Sequence, residues 1–445
     1  MSRLLDKLHA RLGDFWWYSL MLFCAYRAAD TLNAFVGLWL VPKYVDPSEL
    51  GAVMPLTNFA GFLAIPVIAF ANTFRNELTR LSIGHEFGKL KTLMRSVFAA
   101  TAILLLLAII LAKLVLPVFL ERIRIVEGSL GIIIVFSAFV SAVVPIYTNA
   151  LQSLKKFNSQ SLLSIISAPV RLITMLVAMP FRALTGYFIG QASVPVSLII
   201  GAVFSLHKEL SVPAKPYWDR KTFKKFSVLF AIFLVMAFSG GISGLVETTV
   251  LRQRLPDVDS AAYYLVTRFS EIATFLAAAL SFTIFPFAAD KAADNVDLRP
   301  LIFKASSISA VFGALVALPF FIVGRQVLAI LPHSEHYVAY WWAIPWQIGI
   351  ATLGTFVGFY VTVQVSANRF GFLRWYAPLE LAYASILLFV TGHAYFIGII
   401  PPSWTEFLTT NNIHSLNVML WWMTAINVIK AIGCLTDMLL HPSTS

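Results

Sequence analysis

Arg171 stands inside an apolar run, SAPVRLITML, with no acid within a helical turn of it. A charge at the centre of a bilayer costs about 2.5–3.5 kcal/mol even on the lenient insertion scale, so such a residue needs a partner or a water-filled cavity. A guanidinium presents a planar fork of donors that fits phosphate oxygens, which makes Arg171 the sharpest candidate for an anion ligand. Arg27 and Asp30 lie three apart in another apolar run and share a helical face, with Asn33 a turn further on. They read either as a neutralised pair that fixes helix packing or as a site where Arg27 meets an anionic head group and Asp30 senses a proton. Arg268 and Glu271 repeat that spacing nearer the outer end of a run, where interfacial anchoring competes with a cavity role. Lys430, in NVIKAIG, can snorkel toward the cytoplasmic face on its four-carbon stem, or serve a functional role on a helix that Asn417 and Asn427 make unusually polar. Glu247 is a cation or proton site or else a solvated helix end. The candidate substrate ligands are thus Arg27, Arg171, Arg268 and Lys430; the candidate ion-coupling groups are Asp30, Glu271 and Glu247.

The elements that position these groups follow from hydropathy. Of the chain's residues 59% are hydrophobic, and a stretch of about 20 apolar residues spans the hydrocarbon core as a helix, because no backbone N–H or C=O can go unpaired there. Roughly twelve such stretches are expected, over residues 16–41, 50–73, 93–119, 129–151, 160–180, 183–206, 226–250, 261–289, 301–331, 337–365, 375–400 and 413–440. Alternate gaps are rich in Lys and Arg: the N-terminal tail carries Arg3, Lys7 and Arg11, and the sixth gap carries Lys208, Lys215, Arg220, Lys221, Lys224 and Lys225. Loops of that kind stay in the cytoplasm, which puts both termini there in a cytoplasmic (inner) membrane. The net charge of +11 then belongs to topology and to anionic lipid head groups, with no nucleic-acid partner implied.

Several chemistries find no foothold. Cys24 and Cys434 both fall inside expected spans, which points away from a disulfide framework or a zinc site. No P-loop or GxSxG occurs, and the gaps are too short for a soluble catalytic domain. Neither a cofactor, a metal nor an enzymatic activity is expected. His393 raises the thought of an intramembrane acyltransferase base, but a lone His is more often packing.

The longest basic gap divides the spans six and six, giving an N-lobe of residues 1–210 and a C-lobe of 211–445. At an offset near 211, VDPSELGAVMPLTNFAGFLAIP (45–66) aligns with PDVDSAAYYLVTRFSEIATFLAAALS (256–281), and NALQSLKKFN (149–158) with VTVQVSANRFG (361–371), setting Gln152 against Gln364. An even repeat relates the lobes by an axis along the membrane normal and encloses a central cavity about which they can rock. The fold expected is all-α and membrane-embedded, with about twelve helices in two pseudo-symmetric lobes.

SELGAV ahead of span two, ALQSLKKFN after span four and SLLSIISAPVRLITMLV beyond it resemble the polysaccharide-transporter branch of the multidrug/oligosaccharidyl-lipid/polysaccharide exporter superfamily. The resemblance implies two six-helix lobes around a V-shaped cavity, and movement of undecaprenyl-diphosphate-linked sugar between leaflets as a monomer, alongside polymerase or glycosyltransferase machinery. The chain departs from the fourteen-span plan of several such flippases by lacking two helices. Mid-span arginines favour an anionic cargo. The alternative is a cation-coupled multidrug antiporter of the same superfamily using Asp30, or Glu247 with Glu271. A membrane-embedded glycan-modifying enzyme is the third reading.

Overall fold

The computed structural model describes residues 24, 29, 31–125, 130–154, 156–294, 296–390 and 415–440. Arg27, Asp30 and His393 lie outside them.

The protein is an all-helical, multi-pass membrane protein. Its long helices are α1 (Val53–Leu63), α2 (Ile65–Ile83), α3 (Phe87–Arg122), α4 (Leu130–Ser153), α5 (Phe157–Ala178), α6 (Ala183–Ser205), α7 (Arg220–Arg254), α8 (Asp257–Ala293), α9 (Arg299–Ala329), α10 (Ala343–Ser366), α11 (Leu373–Val390) and α12 (Leu416–Leu440). Among the described residues eight helices are long and apolar enough to cross a membrane, and the bent pair α1–α2 makes a ninth. Among the described residues, helices run along the expected stretches from 50–73 onward.

The apolar surface explains why this chain needs lipid. Along α3, Ile103, Leu106, Ile110, Leu114 and Val118 recur at helical spacing and are all exposed, Leu114 by 72%; α9 shows Val311, Leu315, Leu318 and Ile322 in the same way. Such stripes have no place in water. At 36 residues and about 1.5 Å per residue, α3 is about 54 Å long, so its polar start, FGKLK, extends beyond a core of about 30 Å. The break between α1 and α2 bends the chain by 54°. Pro66, the second residue of α2, cannot donate to the preceding turn and its ring collides with the carbonyl four residues back.

The chain divides into two compact units. Unit 1 contains residues 1–36, 59–121 and 126–238, and unit 2 contains 37–58, 122–125 and 239–445. In unit 1, α2 packs on α4, α4 on α6 and α5 on α6. In unit 2, α8 packs on α10, α10 on α12 and α11 on α12. These are the same pairings displaced by six helices. The exits agree too: Glu86 N–H donates to Leu81 O and Val296 N–H to Lys291 O, at offset 210, while Lys156 N–H donates to Leu151 O and Arg369 N–H to Gln364 O, at offset 213. Each is a bond across six residues that closes a helix C-terminus, with His85 and Asn368 at φ near 55° in the turns they occupy.

Unit 1 also holds the basic connection before α7. Lys91 donates to Val212 O at 3.0 Å, Thr92 to Lys215 O at 2.7 Å, and Trp218 Nε1 to Ser96 at 2.9 Å. The turn from α5 to α6 is tight: a Cβ on Gly186 would stand 2.5 Å from Met179 N and 2.6 Å from Ala178 C.

Candidate functional site

Unit 1 builds a polar stripe on one helix. Gln160, Ser164, Ser167 and Arg171 fall at i, i+4, i+7 and i+11 of α5, one face of a 3.6-residue helix, and all four are buried, Arg171 at 9% exposure. The opposite face of the same helix, with Leu162, Ile166, Ile173 and Val177, is exposed and apolar. Ser164 donates to Gln160 O at 3.0 Å and Ser167 to Ser164 O at 2.9 Å. At the end of the stripe Arg171 Nη1 donates to Asn33 Oδ1 at 2.7 Å. The sequence marks Arg171 by its charge; the serines beneath it become meaningful only once their spacing is laid on the helix.

Unit 2 builds two clusters. In the first, Arg268 on α8 pairs with Glu271 at 2.6 Å, lies 4.9 Å over the Tyr264 ring, and packs its stem where a Cβ on Gly37 would be 3.1 Å from its Cδ. Gly37 belongs to a π-helical turn, Val36–Leu40, whose Gly37 carbonyl accepts from Tyr264 at 3.3 Å. The i, i+3 pairing expected from spacing is formed, and Glu271 remains partly exposed at 43%.

The second cluster joins α7, α8, α11 and α12. Lys430 pairs with Glu380 at 2.7 Å and stands 5.7 Å from the Tyr383 ring. Glu247 accepts from Tyr383 at 2.8 Å and from Tyr263 at 3.4 Å, and the charges of Lys430 and Glu380 are near enough to act on it. Tyr263 also reaches Met423 sulfur at 3.6 Å, and Asn427 donates to Met423 O at 2.8 Å. A cavity of about 250 Å³ opens over this cluster, lined by Gly354, Val357, Gly358 and Val361 of α10, Tyr376 and Glu380 of α11, and Asn427 and Lys430 of α12. Lys430 therefore ends on a buried carboxylate of a neighbouring helix, where snorkelling would have carried it to the interface. Glu247 likewise ends on two tyrosines and not in open solvent.

Glu380 is the residue that sequence reasoning missed. It is 2% exposed, with Lys430 on one oxygen and a hydrogen bond from the Tyr376 hydroxyl. The signal that would have found it is a short internal match: SAPVRL (167–172) and YAPLEL (376–381) share Ala-Pro-x-charge-Leu at offset 209. The match sets Arg171 of α5 against Glu380 of α11, the helices that hold equivalent places in the two units' pairing schemes.

No family model matches the sequence, and no curated protein matches it. Solved structures do match. The chain is similar to a multidrug resistance MATE family transporter of the MOP superfamily in an inward-facing conformation, at 14% identity, 94% of each chain and a TM-score of 0.65. It is similar to a MOP superfamily transporter from Pyrococcus furiosus Vc1, whose reversed binding-pocket polarity suggests a different function, at 13% identity, 96% of each chain and a TM-score of 0.63. It is also similar to the lipid II flippase MurJ in an inward closed conformation, at 14% identity, 95% of this chain and 87% of that one, with a TM-score of 0.61. At such identities the likeness is one of fold.

Proposed function

We propose that the protein is a transporter that moves a polyprenyl-diphosphate-linked oligosaccharide across the cytoplasmic membrane by alternating access, for cell-surface polysaccharide synthesis. The observation that carries this reading is the buried polar stripe of α5 with Arg171 at its end. Its hydrogen bond to the Asn33 amide oxygen orients the guanidinium. A diphosphate needs such a countercharge to leave water. Arg268 and Lys430 are further cationic groups of the reading, and Arg27 joins them from the sequence. The likeness of fold to the lipid II flippase supports the class of cargo. Polymerase or glycosyltransferase machinery is the expected neighbour.

A second reading, a cation-coupled multidrug antiporter, draws on Glu247. Its carboxylate is gripped by two tyrosines beside a further Glu–Lys pair, which is a sensible build for an ion-coupling group, with Asp30 and Glu271 as companions. The fold likeness to multidrug transporters supports it equally.

Reconstituted proteoliposomes separate the two. Transfer of a fluorescent undecaprenyl-diphosphate oligosaccharide without ethidium movement supports the flippase, and Arg171→Ala should then abolish transfer while leaving abundance unchanged. Proton- or sodium-driven ethidium efflux with no lipid transfer would replace it with the antiporter.

A further inference from the structure

The repeat makes the chain its own comparison. Two helices of equivalent pairing carry the same Ala-Pro-x-charge-Leu segment, yet one presents a guanidinium and the other a carboxylate. A carboxylate repels phosphate, so the group that enters the cavity of unit 2 is not the anionic part of a cargo. Nor does the cavity call for a cation at Glu380: Lys430 already sits 2.7 Å from that carboxylate. What remains is hydrogen-bonding capacity without net charge. Glu380 Oε2 is buried, the Tyr376 hydroxyl one turn before it on α11 donates a hydrogen bond to the Glu380 side chain, and both residues line the cavity. Asn427 commits its amide N–H₂ to Met423 O, which leaves its Oδ1 as an acceptor facing Gly354, where a Cβ would stand 3.8 Å away.

The far wall is shaped to leave room. Gly354 and Gly358 fall one turn apart on α10, and a Cβ built on Gly358 meets nothing within 4 Å. At about 250 Å³ the space would hold about eight waters at about 30 Å³ each, or one pyranose ring. A buried acceptor left without a donor costs free energy, and the hydroxyls of such a ring supply donors to Asn427 Oδ1 and to the Tyr376 oxygen together.

We infer that this cavity of unit 2, between α10, α11 and α12, is a binding subsite for a neutral, hydroxyl-rich group, a saccharide unit, with Asn427 and Tyr376 as its acceptors and the Glu380–Lys430 pair beside them. The identity of the cargo rests on the function proposed above; the subsite itself is tested without transport.

The experiment is saturation-transfer NMR on the full chain in maltoside-free nanodiscs, with methyl β-D-glucopyranoside and chitobiose as probes. The wild type should give transfer to sugar protons. Gly358→Leu, which fills the cavity and leaves the Glu380–Lys430 pair untouched, should reduce it at least tenfold, and Arg171→Ala should leave it intact. Should Gly358→Leu fail to fold, Tyr376→Phe removes one hydroxyl and should weaken binding about fivefold. No transfer to either sugar in the wild type, transfer unchanged in the cavity variants, or tetraethylammonium binding in place of sugar would each overturn the subsite. Sugar binding that obeys the variants, in a protein that moves no lipid, would keep the subsite and remove the flippase.

Discussion

Removing one partner of the Glu380–Lys430 pair should be among the most damaging polar changes in unit 2. The ions stand 2.7 Å apart with side-chain exposures of 3% for Glu380 and 13% for Lys430. At an effective dielectric of about 20 their attraction is about 6 kcal/mol, offset by a desolvation penalty of several kcal/mol per ion. The net worth of the pair is therefore small, but the penalty for orphaning one member is not. Lys430→Met leaves a carboxylate of 3% exposure without its cation, and should cost about 3–5 kcal/mol. Glu380→Gln strands the ammonium and should cost a little less, because Lys430 is the more exposed of the two and has a four-carbon stem with which to find water. The double variant loses both charges at once and should fall short of the sum of the singles by about 2–3 kcal/mol. Reversible unfolding of the purified protein, as wild type, two singles and the double, gives the cycle directly. Singles that each cost under about 1 kcal/mol, as a solvated surface pair would, together with an additive double, would refute the reasoning and mean that Lys430 is hydrated where it stands.

Arg252 is buried at 1% exposure and ties three connections of unit 2 together, donating to Ser48 O at 2.5 Å, to Ile123 O at 3.2 Å and to Asp257 at 2.9 Å. Arg252→Met should cost about 2–4 kcal/mol, chiefly from two carbonyls left without that donor, and Arg252→Lys should rescue only part, since an ammonium lacks the fork; thermal melting of the three proteins tests this. Burial is the largest single effect on the Glu209 carboxyl and raises it, but the hydrogen bond and charge of Lys156, a backbone N–H and the charge of Lys208 together outweigh burial and hold the group below its ordinary value of 4.5. A lowered value in the fold means that the contribution is whole above about pH 4.5 and fades as pH falls through the folded value; Glu209→Gln should flatten the acid limb of a stability–pH curve and leave the neutral limb alone. Gly186→Ala should destabilise by about 1–3 kcal/mol by overpacking, because the new Cβ meets backbone at 2.5 Å, whereas Gly358→Ala should be nearly neutral in open space; their melting temperatures should diverge accordingly.

The spans were legible because a bilayer leaves the backbone no alternative to a helix, so apolar length alone fixes the element. Arg268 and Glu271 were legible because their partnership is written in a spacing of three. Partnerships between helices leave no such trace. Lys430 and Glu380 are fifty residues apart in sequence, Glu247 and Tyr383 further still, and a single Glu soon after Arg374 and Trp375 looks like the polar margin of a span. Arg252 is no more legible, for the same reason: its acceptors come from three separate connections, two of them backbone carbonyls, and a backbone carbonyl has no identity in a sequence. The buried serines of α5 are each unremarkable in an apolar helix; their common face appears only at helical spacing.

The repeat could have carried the sequence reading further than any single charge. Its landmarks drift, from 209 at the Ala-Pro segments through 210 at one helix exit to 213 at another, which is the behaviour expected when packed helices hold their pairings and connections absorb the insertions. A rigid offset therefore hides true equivalences, and Arg171 fails to meet Glu380 at 211. Once the offset is allowed to slip helix by helix, the informative positions are those where the halves agree in everything except charge. The Ala-Pro pair recurs in front of residues of opposite sign, so one local helix geometry serves both units while the side chains it presents differ in charge. Scaffold and charge thus separate within a single chain, with Arg171 of unit 1 standing in the place that Glu380 holds in unit 2.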